Sequence, residues 1–149
     1  MDNDQTISTL NSLIETLKDG QDGFRAAAEG LTDPQTKAIF QQYARERAQM
    51  AQELQGEVRA LGGDPEKAGS MSGSVHRGWI NIKSAVTGKD DASIISEAER
   101  GEDVAKRAYD EALKASLPAS VSAVVSRQAV QVRAAHDKVR SLERSFTGR

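Results

Sequence analysis

Apolar residues return along the start of the chain in alternating steps of three and four: Ile7, Leu10, Ile14, Leu17, Phe24, Ala28 and Leu31. That spacing keeps to one face of an α-helix and predicts a first helix over about 4–30. Thr32-Asp33-Pro34 then stops the pattern and restarts it, with Asp33 suited to cap a helix and Pro34 to its first turn. A second helix follows over about 34–62 through Ile39, Phe40, Tyr43, Met50, Leu54, Val58 and Leu61, and Gly62-Gly63-Asp64-Pro65 ends it.

The stretch 63–89 changes character. Glycine and serine crowd into Gly69-Ser70-Met71-Ser72-Gly73-Ser74, and a short amphipathic run then predicts a small helix over about 75–87. In that run Trp79 and Ile82 are placed to lie on the longer helices, and His76 reads as a surface or capping residue. A third long helix is predicted over about 90–116, with Ile95, Ala98, Ala105, Tyr109 and Ala112 inward. Leu117-Pro118 makes another tight restart into a fourth helix over about 118–146, lined by Val121, Val125, Val132, Ala135, Val139 and Leu142.

Loop lengths turn this list into a topology. Both outer connections are a few residues long, so each half of the chain is an antiparallel hairpin. The middle connection is long enough to run the length of a helix. The expected fold is therefore all-α: one domain over 1–149, an antiparallel four-helix bundle of two hairpins joined by a long crossover, the ferritin-like arrangement.

Composition narrows the chemistry. Aromatic residues make up only 4% and there is no cysteine, which removes disulfides, thiol catalysis, zinc–cysteine sites and iron–sulfur clusters. Lys and Arg number 20 against 22 Asp and Glu, with the signs interspersed, so nucleic acid is not an expected partner. No apolar run reaches the roughly 20 residues of a membrane span, and the acidic start is unlike a secretory signal. The expected setting is cytoplasmic and bacterial, with self-association as the expected mode of partnership.

Four polar residues interrupt the inner stripes. They are Gln21, Glu46 beside Tyr43, Glu102 and Gln128, one on each long helix, and they read as one layer at mid-height. A buried layer of this kind needs mutual hydrogen bonds, water or a cation. His136 reads as an edge residue of the last helix. Gly20, Gly23 and Gly101 sit next to the layer, either to shape a site or to let helices pack closely.

Carboxylate di-iron bundles place a Glu on two helices and Glu-x-x-His on the other two. The matching positions here are Gln21, Glu46 with Gln49, Glu102, and Gln128 with Gln131. If the layer held a metal, iron or manganese would fit best, with Glu46 and Glu102 as the acids and Gln21, Gln49, Gln128 and Gln131 as weak or outer ligands. Two carboxylates and no histidine fall short of an oxidase centre. The alternative is a metal-free network in which glutamine amides donate to carboxylates and set helix register, in a non-catalytic interaction or stress-associated protein.

Four segments carry a resemblance over most of the chain. They are Lys18-Asp19-Gly20-Gln21-Asp22-Gly23-Phe24, His76-Arg77-Gly78-Trp79-Ile80-Asn81-Ile82-Lys83, Ala98-Glu99-Arg100-Gly101-Glu102-Asp103 and Arg133-Ala134-Ala135-His136-Asp137. Together they resemble a bacterial family of ferritin-like four-helix bundles known as a domain of unknown function. The resemblance implies the fold and a distant kinship to bacterioferritin and rubrerythrin bundles, and it implies no established reaction.

Overall fold

The computed structural model describes residues 2–65, 78–79, 81–88 and 90–147. Among these the chain forms five helices and no strand: α1 (Asn3–Gly30), α2 (Pro34–Ala60), α3 (Ile82–Thr87), α4 (Asp91–Lys114) and α5 (Ala119–Thr147).

Local chemistry sets most of the ends. Asp2 and Gln5 form a reciprocal capping box at α1, each side chain taking the other's backbone N–H at 2.8 and 3.2 Å. Asp33 caps α2 by accepting from the Thr36 N–H at 3.0 Å, with Pro34 in the first turn. Gly62, at φ 83°, closes α2; its N–H reaches the Arg59 carbonyl and that of Gly63 the Val58 carbonyl. That pairing satisfies two of the carbonyls left free at the helix end, and it needs the left-handed backbone that glycine adopts without strain.

Asp91 then fixes how the halves meet. At the start of α4 it accepts hydrogen bonds from Thr32 N–H, Thr32 Oγ1 and Asp33 N–H, each at 2.9 Å, in the turn between α1 and α2. So α4 starts at the end where α2 starts, while α2 finishes at the far end, about 40 Å away by helical rise. The chain therefore leaves α2 at one end and enters α4 at the other. α1 and α5 point one way, and α2 and α4 the other. Within the hairpins α1 packs on α2 and α4 on α5; between them α1 packs on α4, and α2 meets α5 more sparsely.

The small helix is shorter than the sequence suggests. Gly78 and Trp79 precede it in non-helical backbone, Gly78 at φ 78°, and Asn81 stands at its N-terminal boundary without a side-chain capping bond; residues 75–77 and 80, and with them His76 and the Gly/Ser run 69–74, lie outside the described residues. The physical reason is Trp79. It is 2% exposed and lies between α1 and α4, where a Cβ on Gly23 or on Gly101 would come within 2.2 Å of its ring. Two helical glycines thus form the slot, and Gly78 comes so close that a Cβ there would stand 2.7 Å from Gly101 Cα. Trp79 meets the Phe24 ring edge-on at 4.9 Å, and Phe24 in turn meets Phe40 and Tyr43 at 5.1 and 5.4 Å. The buried Glu97 on α4 completes the anchor by accepting the Asn81 N–H at 2.5 Å and the Arg100 guanidinium at 3.2 Å.

The apolar core falls into two clusters. One, around Leu13, Leu17, Leu54, Tyr109 and Val125, lies toward the α4–α5 turn; the other, around Phe24, Phe40, Trp79 and Ile95, lies toward the α1–α2 turn. Between them, at the level of Gly20, the interior is polar.

Candidate functional site

At that level Arg47 on α2 reaches across to Glu102 on α4, Nη2 to Oε2, at 2.6 Å. Both side chains are essentially removed from solvent, 3% and 0% exposed. Gly20 makes room: a Cβ there would lie 3.1 Å from Arg47 Nη1. The guanidinium also stands over the Phe24 ring, 5.4 Å from its centroid. Burial alone would lower the Arg47 pKa, but the charge and hydrogen bond of Glu102 outweigh it and the net direction is up. The pair is joined by one hydrogen bond, with Arg47 Nη1 and Glu102 Oε1 unpartnered among the described residues.

A second polar group lies nearer the α4–α5 turn. Tyr109 on α4 donates its hydroxyl to Gln128 Oε1 at 2.7 Å, and Gln128 Nε2 donates to the Met50 carbonyl at 3.2 Å and Glu53 Oε1 at 2.8 Å. Arg127 closes the chain by pairing with Glu53, and that hydrogen bond holds the Glu53 carboxyl below its usual range. This network joins α2, α4 and α5 where α2 and α5 otherwise touch little.

A third contact ties α4 to α5. His136, 4% exposed, has Nε2 2.6 Å from Asp103 Oδ1 and Nδ1 3.1 Å from Asp137 Oδ1.

Glu102 and Gln128 are both fully buried, as their seam positions predict. They do not share a level. Gln128 stands opposite Tyr109, two helical turns from Glu102, while the residue level with Glu102 and Asp103 on α5 is His136. In the first hairpin the expected height holds but the helical phase is off by one residue. Gly20 rather than Gln21, and Arg47 rather than Glu46, face the centre. One residue is about 100° of rotation, enough to carry a side chain off the inner face. Gln21 is half-buried and opens onto an outer groove between α1 and α2, and Glu46 is half-buried and accepts from Gln42 Nε2 at 3.1 Å. Gln49 and Gln131 are exposed. The four-residue layer is thus replaced by three separate contacts: Arg47–Glu102, Tyr109–Gln128–Glu53 and His136–Asp103.

Arg47 and His136 are what the sequence reading missed as interior groups, although both carry a signal. Arg47 lies on the stripe Phe40, Ala44, Ala51, Leu54, and His136 falls four residues after Val132 and three before Val139. Their polar character hid a periodicity that an apolar residue would have declared.

The donor set does not suit iron or manganese. Among the described residues no group of three or more His, Asp or Glu side chains is placed to hold a metal ion. The one fully buried carboxylate on α4 is already neutralised by a guanidinium. A cation there would lie beside the Arg47 guanidinium, whose like charge opposes it.

Burial pushes the Tyr109 phenol up in pKa, the largest effect on it, so the folded state keeps the proton it donates to Gln128. A raised folded-state pKa gives stability that is complete below the unfolded value near 10 and lost as pH climbs past it. Urea unfolding at pH 8 to 11 is therefore expected to show stability falling above about pH 10. The fall should be shallower in Tyr109→Phe; an unchanged slope would show that Tyr109 is not its source.

An all-α chain with a paired polar interior and a tryptophan-pinned connection is the class that fold and site define. The sequence matches the family described as Domain of unknown function (DUF2383) over residues 5–115, and the chain belongs to that family. The match takes in α1 to α4, including Gly20, Gly23, Arg47, Trp79, Gly101 and Glu102, and stops before α5. No curated protein matches the chain.

Proposed function

We propose that the chain is a single-domain, ferritin-like four-helix bundle that works as a non-catalytic, metal-free helical interaction protein, its polar interior serving to set how the two hairpins dock. The up-down-down-up directions of α1, α2, α4 and α5 support the ferritin-like arrangement. Its cysteine-free composition suits a reducing, cytoplasmic setting.

One observation carries the reading: the buried ion pair Arg47–Glu102 takes up the acid that a metal centre would need. Buried pairs contribute little net stability, because desolvation offsets their attraction, and their best-attested use is to specify register. An apolar seam between α1/α2 and α4/α5 would tolerate a one-turn slip. A guanidinium that must meet one carboxylate does not.

Iron(II) and manganese(II) titrations of the purified full chain, read by calorimetry and metal analysis, test this. The expected result is no saturable binding to the native chain. Saturable binding that disappears in both Glu46→Ala and Glu102→Ala would overturn the reading.

A further inference from the structure

The outer face of the first hairpin carries a feature that the interior does not use. A groove of about 670 Å³ runs between α1 and α2, floored by Ala28, Ala44 and Ala48. That volume lies within the range of small-ligand sites. Arg25 projects to it from α1, and Lys37 and Arg45 from α2; Glu29 is the single carboxylate in the lining. Along α2 the basic groups are two four-residue steps apart, with Gln41 between, so charge or amide recurs about every 6 Å. Neither Arg25 nor Lys37 has an ion pair among the described residues, and Arg45 is oriented by donating to Gln42 Oε1 at 2.8 Å. By contrast Arg47, Arg100, Lys106, Lys114, Arg127, Arg133 and Arg140 each face a carboxylate.

We propose that this groove is an anion site for a small phosphate-bearing molecule, with the guanidinium groups of Arg25 and Arg45 gripping it from opposite walls and Lys37 adding charge toward the α1–α2 turn. Guanidinium forks match phosphoryl oxygens two at a time, the amides of Gln21 and Gln41 add neutral donors, and the alanine floor leaves room for the ligand to sit down between the helices. Convergence into a concave space separates these cations from other exposed cations without an ion pair among the described residues, such as Arg59 and Lys138, which stand singly on the helix faces. The chain carries a net charge of -2, so a diffuse excess of positive charge does not account for anion binding. Gln21, which the sequence pattern offers as a weak metal ligand, stands here among cations. The site is independent of the interior layer.

Calorimetric titration of the full chain with sodium pyrophosphate tests the proposal. The native chain is expected to bind one equivalent saturably. Arg25→Gln and Arg45→Gln should each weaken binding about tenfold, the loss of one charged hydrogen-bonding partner, while Glu29→Gln tightens it. Lys83→Gln and Lys138→Gln, which remove exposed cations outside the groove, should leave it unchanged. Circular dichroism melts check that each variant is folded, as the exposure of Arg25 and Arg45 leads one to expect. Absence of saturable binding to the native chain, or an equal loss in the two control variants, would overturn the assignment.

Discussion

Gly101→Ala is expected to destabilise the protein by about 3 kcal/mol or prevent folding, although alanine is the better helix former. By propensity alone the change should gain about 1 kcal/mol in a helix interior. The new methyl, however, would stand 2.2 Å from Trp79 Cε2 and 2.3 Å from Nε1. A rigid indole wedged between two helices cannot yield as the end of a flexible side chain would, so α1 and α4 must separate or Trp79 must leave. Gly23→Ala should act alike from the opposite wall, where the methyl would lie 2.2 Å from Trp79 Cδ2.

The test is a reversal of sign. Trp79→Ala alone is expected to cost about 3–5 kcal/mol as a large-to-small core change. In that background Gly101→Ala should become neutral or stabilising, because the clash is gone and the propensity gain remains. Urea unfolding of the two singles and the double gives the coupling directly. A Gly101→Ala cost that persists without Trp79 would mean that the slot is not what the glycine is for.

Glu102→Leu is expected to cost about 3–5 kcal/mol, since it removes the one carboxylate that Arg47 pairs with among the described residues and leaves its charge in the core. Arg47→Met should cost a similar amount by stranding Glu102. Replacing both, Arg47→Met with Glu102→Leu, is expected to be neutral or to stabilise by about 1–4 kcal/mol, because two desolvation costs vanish together. Chemical denaturation measures the energies, and the amide spectrum of the double variant measures uniqueness. If the pair sets register, the double variant gains stability while its amide signals broaden or multiply. A double variant as costly as either single would show the pair to be a net source of stability instead.

Much of the fold was legible because helix ends are local events. Asp33-Pro34 begins a helix and Gly62-Gly63 ends one through groups within a few residues, and both boundaries stand within two residues of expectation. That α4 starts at the end where α2 starts was legible from length alone, since two short turns and one long connection leave few arrangements. The site was legible only in part. Glu102 and Gln128 were placed in the interior correctly because each interrupts a clear apolar seam. Their partners were not, because a seam gives a side chain's direction and not its opposite number. The level of α5 against α4 depends on how the Leu117-Pro118 turn is built and how the valines interlock, and the outcome puts His136, not Gln128, beside the Glu102-Asp103 step.

The sequence by itself therefore determined the four long helices, their order, the two hairpins and the polar character of the middle. Tertiary structure alone decided which polar groups meet. On a helix neighbouring residues differ by about 100°, so either Gln21 or Gly20, and either Glu46 or Arg47, could have faced the centre. The choice fell to packing. Arg47 turns inward because Gly20 leaves space for it and Glu102 waits opposite, and α1 and α4 stand where they do because Trp79 fits between Gly23 and Gly101.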